Sequence, residues 1–144
     1  MNQIPSFLKL SRWRLLASLG SVVVMGGCWG NGLDLAEVRG KVLLDGKPLT
    51  KGHVLTQPQA GRGSNGNIQS DGTFELSSGR EKGALVGRHA VAVVAWEHEN
   101  ALGAESDFGR LLVPKAYTTF QSSNLAIDVK SDGENTPVLE LKSQ

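Results

Sequence analysis

Alternation of apolar and polar residues with a period of two is the feature that most limits the folds open to this chain. In the stretch VRGKVLL, Val38, Val42 and Leu44 fall on one face of an extended strand. Arg39 and Lys41 fall on the opposite face. The same alternation recurs along the chain, and no stretch shows a convincing helical period. The sequence therefore predicts an all-β fold.

This pattern, together with the turn residues between the alternating stretches, predicts seven short strands. They cover residues 38–44, 53–57, 67–70, 73–77, 88–96, 125–130 and 137–142. The dipeptides Asp45-Gly46 and Asp71-Gly72 are typical of tight turns, and the second predicts a hairpin between the third and fourth strands. Valine and alanine lie on both faces of the fifth strand, so we expect it to be central. The predicted architecture is a seven-stranded antiparallel β-sandwich.

Residues 61–67 read GRGSNGN and separate the second and third predicted strands. Their polar, glycine-rich composition predicts a mobile loop. The first six letters match the G-x-G-x-x-G fingerprint of dinucleotide-binding proteins, but that site needs a strand before it and a helix after it. Here Pro58 lies just before and a strand just after, so we interpret the match as chance.

The beginning of the chain has the composition of an export signal. A basic start is followed by LLASLGSVVVM, an uncharged, mostly apolar run of eleven residues. This length suits the apolar region of a signal peptide and is shorter than the roughly 20 residues that a membrane-spanning helix needs. Gly26 and Gly27 then precede Cys28, the only cysteine of the chain.

The segment Met25-Gly26-Gly27-Cys28 resembles the lipobox of bacterial lipoproteins. This resemblance implies that the Cys28 thiol receives a diacylglycerol, that the chain is cut before it and that the new amine is often acylated. Two or three acyl chains make a durable anchor, because each buried methylene adds about 0.8 kcal/mol. In two-membrane cells an aspartate after the cysteine commonly retains lipoproteins at the inner membrane. Trp29 stands there instead, so the resemblance implies the outer membrane or the cell surface.

From the residues alone, other interpretations of Cys28 stay open. They are a buried apolar residue, an unmodified signal peptide and a reactive thiol. A catalytic thiol needs a histidine partner, and the nearest in sequence is His53, although folding brings distant residues together. An unmodified exported cysteine would be exposed to oxidation. We predict a lipid anchor at Cys28.

We expect residues 1–27 to be a lipoprotein signal peptide, 28–36 a lipidated tether and 37–144 a single folded domain. The charge balance agrees with an exported globular domain. The whole chain has a net charge of +1, and removal of the signal takes away three basic and no acidic residues, which leaves −2. This balance gives no electrostatic reason to expect nucleic acid as a partner.

Four further motifs carry a resemblance to a known family of domains. A V-x-G-x-V…DGKPL opening begins at Val38, a DG-x-F-x-L hairpin at Asp71, a G-x-x-x-V-x-V strand at Gly87 and a P-x-x-Y segment at Pro114. Together they resemble the transthyretin-like, carboxypeptidase-regulatory-like domain, as carried by small secreted lipoproteins of planctomycete-type bacteria. The resemblance implies a prealbumin-like sandwich with an accessory or binding role. It does not imply hydrolysis, because the catalytic zinc of carboxypeptidases belongs to a separate domain.

No catalytic or metal-binding motif stands out. Neighbouring residues of a strand point to opposite faces, so Glu97-His98-Glu99 predicts a solvated strand end and not a zinc site. Residues 65–71 lack the spacing of a calcium loop. There is no G-x-S-x-G elbow or S-x-x-K motif, and His89 falls on the inward face of an apolar strand. We therefore expect no enzyme activity, no metal and no cofactor.

The long segment 97–124 has no regular period, yet it carries aromatic residues. Phe108, Tyr117 and Phe120, with Trp96 just before the segment, are the candidate contacts for a ligand. The alternative, which the family pattern favours, is that the segment covers an open end or edge of the fold.

Taken together, the sequence predicts a non-enzymatic, lipid-anchored cell-envelope protein. Its sandwich would be structural or would bind protein, and the alternative is a carbohydrate or small-ligand binding module. The expected partners are membrane lipid, through acylated Cys28, and envelope proteins or glycans.

Overall fold

The computed structural model describes residues 34–98 and 109–143. Within these residues the chain is all-β, as predicted, apart from one short 3-10 helix at Lys115–Thr118. The strands, in chain order, are β1 Leu35–Ala36, β2 Arg39–Leu44, β3 Lys47–Pro48, β4 His53–Pro58, β5 Ser64–Asn67, β6 Thr73–Glu75, β7 Ser77–Ser78, β8 Glu81–Lys82, β9 Ala84–Leu85, β10 Gly87–Val94, β11 Leu125–Val129 and β12 Val138–Leu141. In this part of the chain no helix is long and apolar enough to cross a membrane.

Two larger sheets and a two-stranded ribbon contain these strands. The six-stranded sheet has the order β11-β10-β4-β5-β7-β8, and the four-stranded sheet has the order β12-β2-β3 with β6 also paired to β2. The ribbon is β1-β9. The pairs are antiparallel except for β12 with β2, which are parallel. This parallel pair corrects the prediction of a wholly antiparallel arrangement.

Both larger sheets contribute to one apolar core, which is consistent with the predicted β-sandwich. Val54, Val91 and Val93 of the six-stranded sheet are fully buried. Val42 and Leu141 of the four-stranded sheet are fully buried in the same cluster. The period-two pattern of the sequence therefore identifies the faces that pack together, because inward positions alternate with exposed ones along each strand.

The longest predicted strands are confirmed. The predictions at 53–57, 88–96, 125–130 and 137–142 correspond to β4, β10, β11 and β12. β10 lies between β4 and β11, so it is central, as its composition predicts. The turn between β2 and β3 is also confirmed, with positive φ angles of 51° at Asp45 and 79° at Gly46, as hairpin turns of this type require.

One stretch of chain passes from one sheet to the other. β6 pairs with β2 in the four-stranded sheet, whereas β7 pairs with β5 and β8 in the six-stranded sheet. Leu76 lies between them, and its N–H donates to the carbonyl oxygen of Val38 at 3.0 Å. The predicted strand 73–77 is therefore split into two, while Phe74 and Leu76 point inward as expected.

The loop predicted at 61–67 is wrong for its second half. Ser64–Asn67 is β5, which pairs with β4 along its whole length and with β7 at one residue. Its burial alternates, with Ser64 and Gly66 inside and Asn65 and Asn67 exposed. The residues on its inner face are small and not apolar, so the hydrophobic pattern gives no sign of a strand.

The seven predicted strands become twelve short ones, and two boundaries change. The tether predicted at 28–36 does not extend to its predicted end, since β1 pairs with β9 and the carbonyl oxygen of Asp34 accepts the N–H of Val86 at 2.9 Å. The third predicted strand is reduced to a single bridge between Ile68 and Phe74. Strands of two residues are too short for a period to show in the sequence.

Phe74 packs directly on Gly40 of the neighbouring strand. A Cβ on Gly40 would overlap the Phe74 ring and lie 2.5 Å from the carbonyl oxygen of Pro137. Gly40 therefore lets a buried aromatic ring cross β2 at the point where β12 begins.

We predict that Gly40→Ala destabilises the fold by about 1–3 kcal/mol, because a methyl group forced into a filled site displaces its neighbours. Urea unfolding followed by circular dichroism measures this loss. Lys41→Ala, the next residue on the opposite face of β2, is the control and should change stability by less than about 0.5 kcal/mol. Equal stability of the two variants would contradict the close contact between Gly40 and Phe74.

Candidate functional site

The two larger sheets end side by side in strands whose outer edges have no strand partner within 34–98 and 109–143. β11 is the last strand of the six-stranded sheet, and β12 is the last strand of the four-stranded sheet. An open groove of roughly 400 Å³ lies between them and is lined by both. The side chain of Val138, which lines this groove, is 58% exposed. We call this groove and its two edges the open edge.

The backbone of β11 shows which groups face the open edge. The N–H of Lys130 donates to Oδ1 of Asn135 at 2.9 Å, and Nδ2 of Asn135 donates to the carbonyl oxygen of Lys130 at 3.0 Å. Asn135 lies on the side away from β10, so the backbone groups of Lys130 point outward. These groups alternate between the two edges of a strand with a period of two. Those of Asp128 and Ala126 therefore point outward as well.

The Asn135 side chain bonds to β11 as the backbone of another strand would. Its amide supplies one acceptor and one donor to the same residue, and Nδ2 also donates to the carbonyl oxygen of Glu37 at 3.1 Å. The carbonyl oxygen of Asn135 accepts the N–H of Arg39 at 2.9 Å. The residue is only 8% exposed. Asn135 thus joins the end of β11 to the beginning of β2.

β12 contributes the opposite wall of the open edge. The carbonyl oxygens of Pro137 and Leu141 accept N–H groups of β2 and of the residue after it at 2.9 Å, so both face that sheet. By the same alternation, the backbone groups of Val138 and Glu140 face away from β2. The open edge therefore presents two residues on each wall with outward N–H and C=O groups.

Tyr117 closes β12 at its far end. Its ring packs against the core from the 3-10 helix, and its hydroxyl accepts the N–H of Lys142 at 3.1 Å. Lys142 lies two residues after Glu140, so its N–H also faces away from β2. Tyr117 is therefore engaged in the fold, as the predicted cover of an open end requires.

The other residues named from the sequence as ligand contacts are placed as follows. Trp96 is half-buried and forms a bridge with Leu111. Phe120 is half-buried just after the 3-10 helix. Phe108 and Cys28 lie outside the described residues.

A second concave surface, the polar groove, lies where β5 faces β6 and β2. Its volume is roughly 710 Å³. Most of the residues that line it are polar. They are Arg39, Gly40, Asn65, Gly66, Asn67, Gln69, Thr73, Phe74, Glu75 and Ser77. Arg39 Nε lies 2.9 Å from a carboxylate oxygen of Glu75, so the two charges balance. His53 Nδ1 donates to Oδ1 of Asn67 at 2.9 Å, which leaves the Asn67 amide nitrogen as a donor.

Asp71 is held in the turn next to the polar groove. Its carboxylate accepts the Thr73 hydroxyl at 2.6 Å and the Thr73 N–H at 3.0 Å. These two hydrogen bonds favour the ionised form and hold the pKa of Asp71 below its usual value. The carboxylate of Asp71 thus serves the turn and not the groove.

His89 and Glu97, which the sequence raised as chemical candidates, make hydrogen bonds within the fold, and Glu99 lies outside the described residues. His89 is fully buried, as predicted, with Nε2 donating to the carbonyl oxygen of Leu85 at 2.7 Å. Glu97 accepts the N–H of Arg110 at 3.1 Å and lies 3.6 Å from its guanidinium group. Across 34–98 and 109–143, no group of three or more His, Cys, Asp or Glu side chains could hold a metal ion.

No protein-family model, curated protein or solved structure matches this chain.

We predict that Asn135→Ala destabilises the protein by about 1–3 kcal/mol, because it removes three part-buried hydrogen bonds to backbone groups of Lys130 and Glu37. Thermal and urea unfolding measure the loss. Asn65→Ala, at an exposed position, is the control and should stay within about 0.5 kcal/mol of the parent. An Asn135→Ala protein as stable as the control would contradict the bridging role of this amide.

Proposed function

We propose that this chain is a non-enzymatic, lipid-anchored protein of the cell envelope. Its transthyretin-like β-sandwich binds a protein partner at the open edge. The lipobox-like segment ending at Cys28 supports the anchor, and the placement facing the cell surface or the outer membrane follows from Trp29. The open edge supports a protein partner, since unpaired strand edges bind polypeptide backbone.

The proposal rests on a contrast between the open edge and the edge strands on the opposite side of the two sheets. On the side away from the open edge, the four-stranded sheet ends partly in β3, Lys47–Pro48, and the six-stranded sheet ends in β8, Glu81–Lys82. Both are only two residues long, and β3 ends in a proline, features that limit pairing with other chains. β11 and β12 are longer, at five and four residues, and neither contains proline. An edge left unprotected in this way fits a binding surface.

The anchor is tested by the intact mass of the protein extracted from membranes of its native host. We expect a chain that begins at Cys28 and carries added acyl mass, and we expect Cys28→Ser to move to the soluble fraction. A chain that keeps residues 1–27, or one cut elsewhere with a free thiol, would contradict the anchor.

The binding surface is tested in the same cells with a photo-crosslinking amino acid at Val138. We expect one dominant protein adduct from this position. The matched control is the same amino acid at Asn65, which is exposed in the polar groove away from the open edge. Equal adducts from both positions, or none from Val138, would contradict protein binding at the open edge.

A second candidate function is binding of a neutral saccharide in the polar groove. The amides of Asn65, Asn67 and Gln69 can each donate and accept hydrogen bonds, as sugar hydroxyls require. The positive charge of Arg39 is already paired with the carboxylates of Glu75 and Glu37, so it does not favour an anionic ligand. We expect Asn65→Ala to abolish retention on an array of neutral glycans, with Ala126→Val at the open edge as the unaffected control. The absence of any glycan signal from the unmodified protein would rule this function out.

A further inference from the structure

We propose that the open edge works by strand addition. An extended segment of the partner protein pairs with the outer edge of β11 as a further antiparallel strand, beginning beside Asn135. This inference rests on the proposed protein-binding function and specifies how the partner is held.

The backbone hydrogen bonds at Lys130 show that the outer edge of β11 accepts this pairing. The Asn135 amide already supplies to Lys130 the acceptor and donor that an added strand would supply, at 2.9 and 3.0 Å. The next two outward residues are Asp128 and Ala126. Within the described part of the chain no strand pairs with β11 on this side, so their N–H and C=O groups continue the same outward row. An added strand would therefore continue the row of hydrogen bonds that begins with those between Lys130 and the Asn135 amide.

The side chains around this row set the chemistry of the added strand. Ala126 and Asp128 point to the exposed face, whereas Ile127 points into the core beside the groove. A strand added to β11 has one row of side chains beside Ala126 and Asp128 and a second row facing the groove. Opposite charges on paired strands attract, so a basic residue fits beside Asp128. A small apolar residue fits the second row, next to Ile127 and Val138.

Two features favour a segment that alternates basic and small apolar residues. Asp128, on the exposed face of β11, and Glu134, beside the groove, bring two negative charges to this edge, against the single positive charge of Lys130. Val138 provides an exposed apolar contact on the facing wall. The antiparallel direction is favoured because β11 belongs to an antiparallel sheet and antiparallel pairing is the more stable per residue.

The experiment uses the full-length chain purified from its host in mild detergent and a fluorescent nine-residue probe peptide that alternates lysine and valine. Binding is followed by fluorescence anisotropy. Two peptide variants carry N-methyl groups, one on its lysines and the other on its valines. In an antiparallel pair, residues that share a face with Ala126 and Asp128 direct their N–H groups to β11. We therefore expect N-methylation of the lysines to weaken binding by at least about tenfold, since two or more hydrogen bonds are lost.

The valine-methylated peptide should bind within about twofold of the parent, because its blocked groups face away from β11. The reverse result would overturn the proposed arrangement, in which an antiparallel strand places its lysines beside Asp128. Equal binding of the two methylated peptides, or no binding of the parent peptide by a chain that does not self-associate, would overturn strand addition at this edge.

A pair of protein variants gives the matching test on the other side of the contact. Ala126→Pro removes one outward N–H, a change that edge strands accept because the inward ladder does not use that group. Ala126→Val keeps the N–H and adds apolar volume. We expect Ala126→Pro to weaken peptide binding by about tenfold or more and Ala126→Val to leave it within about twofold. Circular dichroism establishes that both variants fold, and the methylated peptides remain decisive if Ala126→Pro does not.

Two outcomes separate this inference from the proposed function. A Val138 crosslink in cells together with equal binding of both methylated peptides would leave a protein-binding edge and overturn strand addition. Self-association that Ala126→Pro abolishes, with no peptide binding, would identify a second copy of this chain as the occupant and overturn the heterologous partner. Sedimentation of the full-length chain measures that self-association.

Discussion

The buried amide of Asn135 is the interaction on which the open side of this fold depends. The amide bonds to the backbone of Lys130, the first residue after β11, and to the carbonyl oxygen of Glu37. The backbone carbonyl of Asn135 also accepts the N–H of Arg39 at the start of β2. These partners belong to the ends of two different sheets. Backbone groups shielded from water are costly without partners, and this one side chain satisfies three that are part-buried. Tyr117 makes a comparable contact at the far end of β12. The edges are thus closed at their ends and open in between.

The sequence predicts the long strands well because burial on one face imposes a period of two. β2, β4, β11 and β12 show it, and their inward residues form the core together with those of β10, which is apolar on both faces. β5 does not, since Ser64 and Gly66 fill its inner face, and its place in the sheet is set by its neighbours. The parallel pairing of β12 with β2 also cannot be predicted from the sequence pattern. Alternation of apolar and polar residues shows which face of a strand is buried, but it does not show which strand lies beside it or in which direction that strand runs.

The candidate sites were harder to predict, for a related reason. Asn135 lies in SDGENT, a stretch whose composition predicts only a polar turn, and no local pattern shows that its side chain is buried. The chemistry of the aromatic side chains suggests ligand contacts, yet the Tyr117 ring packs over the core. An unpaired edge is a property of the whole sheet order. It becomes visible only when every strand has been assigned its neighbours.

The pairing of β12 with β2 also constrains how the chain folds. Residues close to the beginning of the domain meet residues at its end, as in the contact between Glu37 and Asn135, which are 98 positions apart. Contacts over such distances form slowly, because a long stretch of chain must first be ordered. While the chain is being made, β2 therefore keeps one vacant edge until β12 has been synthesised. β12 therefore completes the smaller sheet. A chain without β12 would leave the edge of β2 free to pair with other chains.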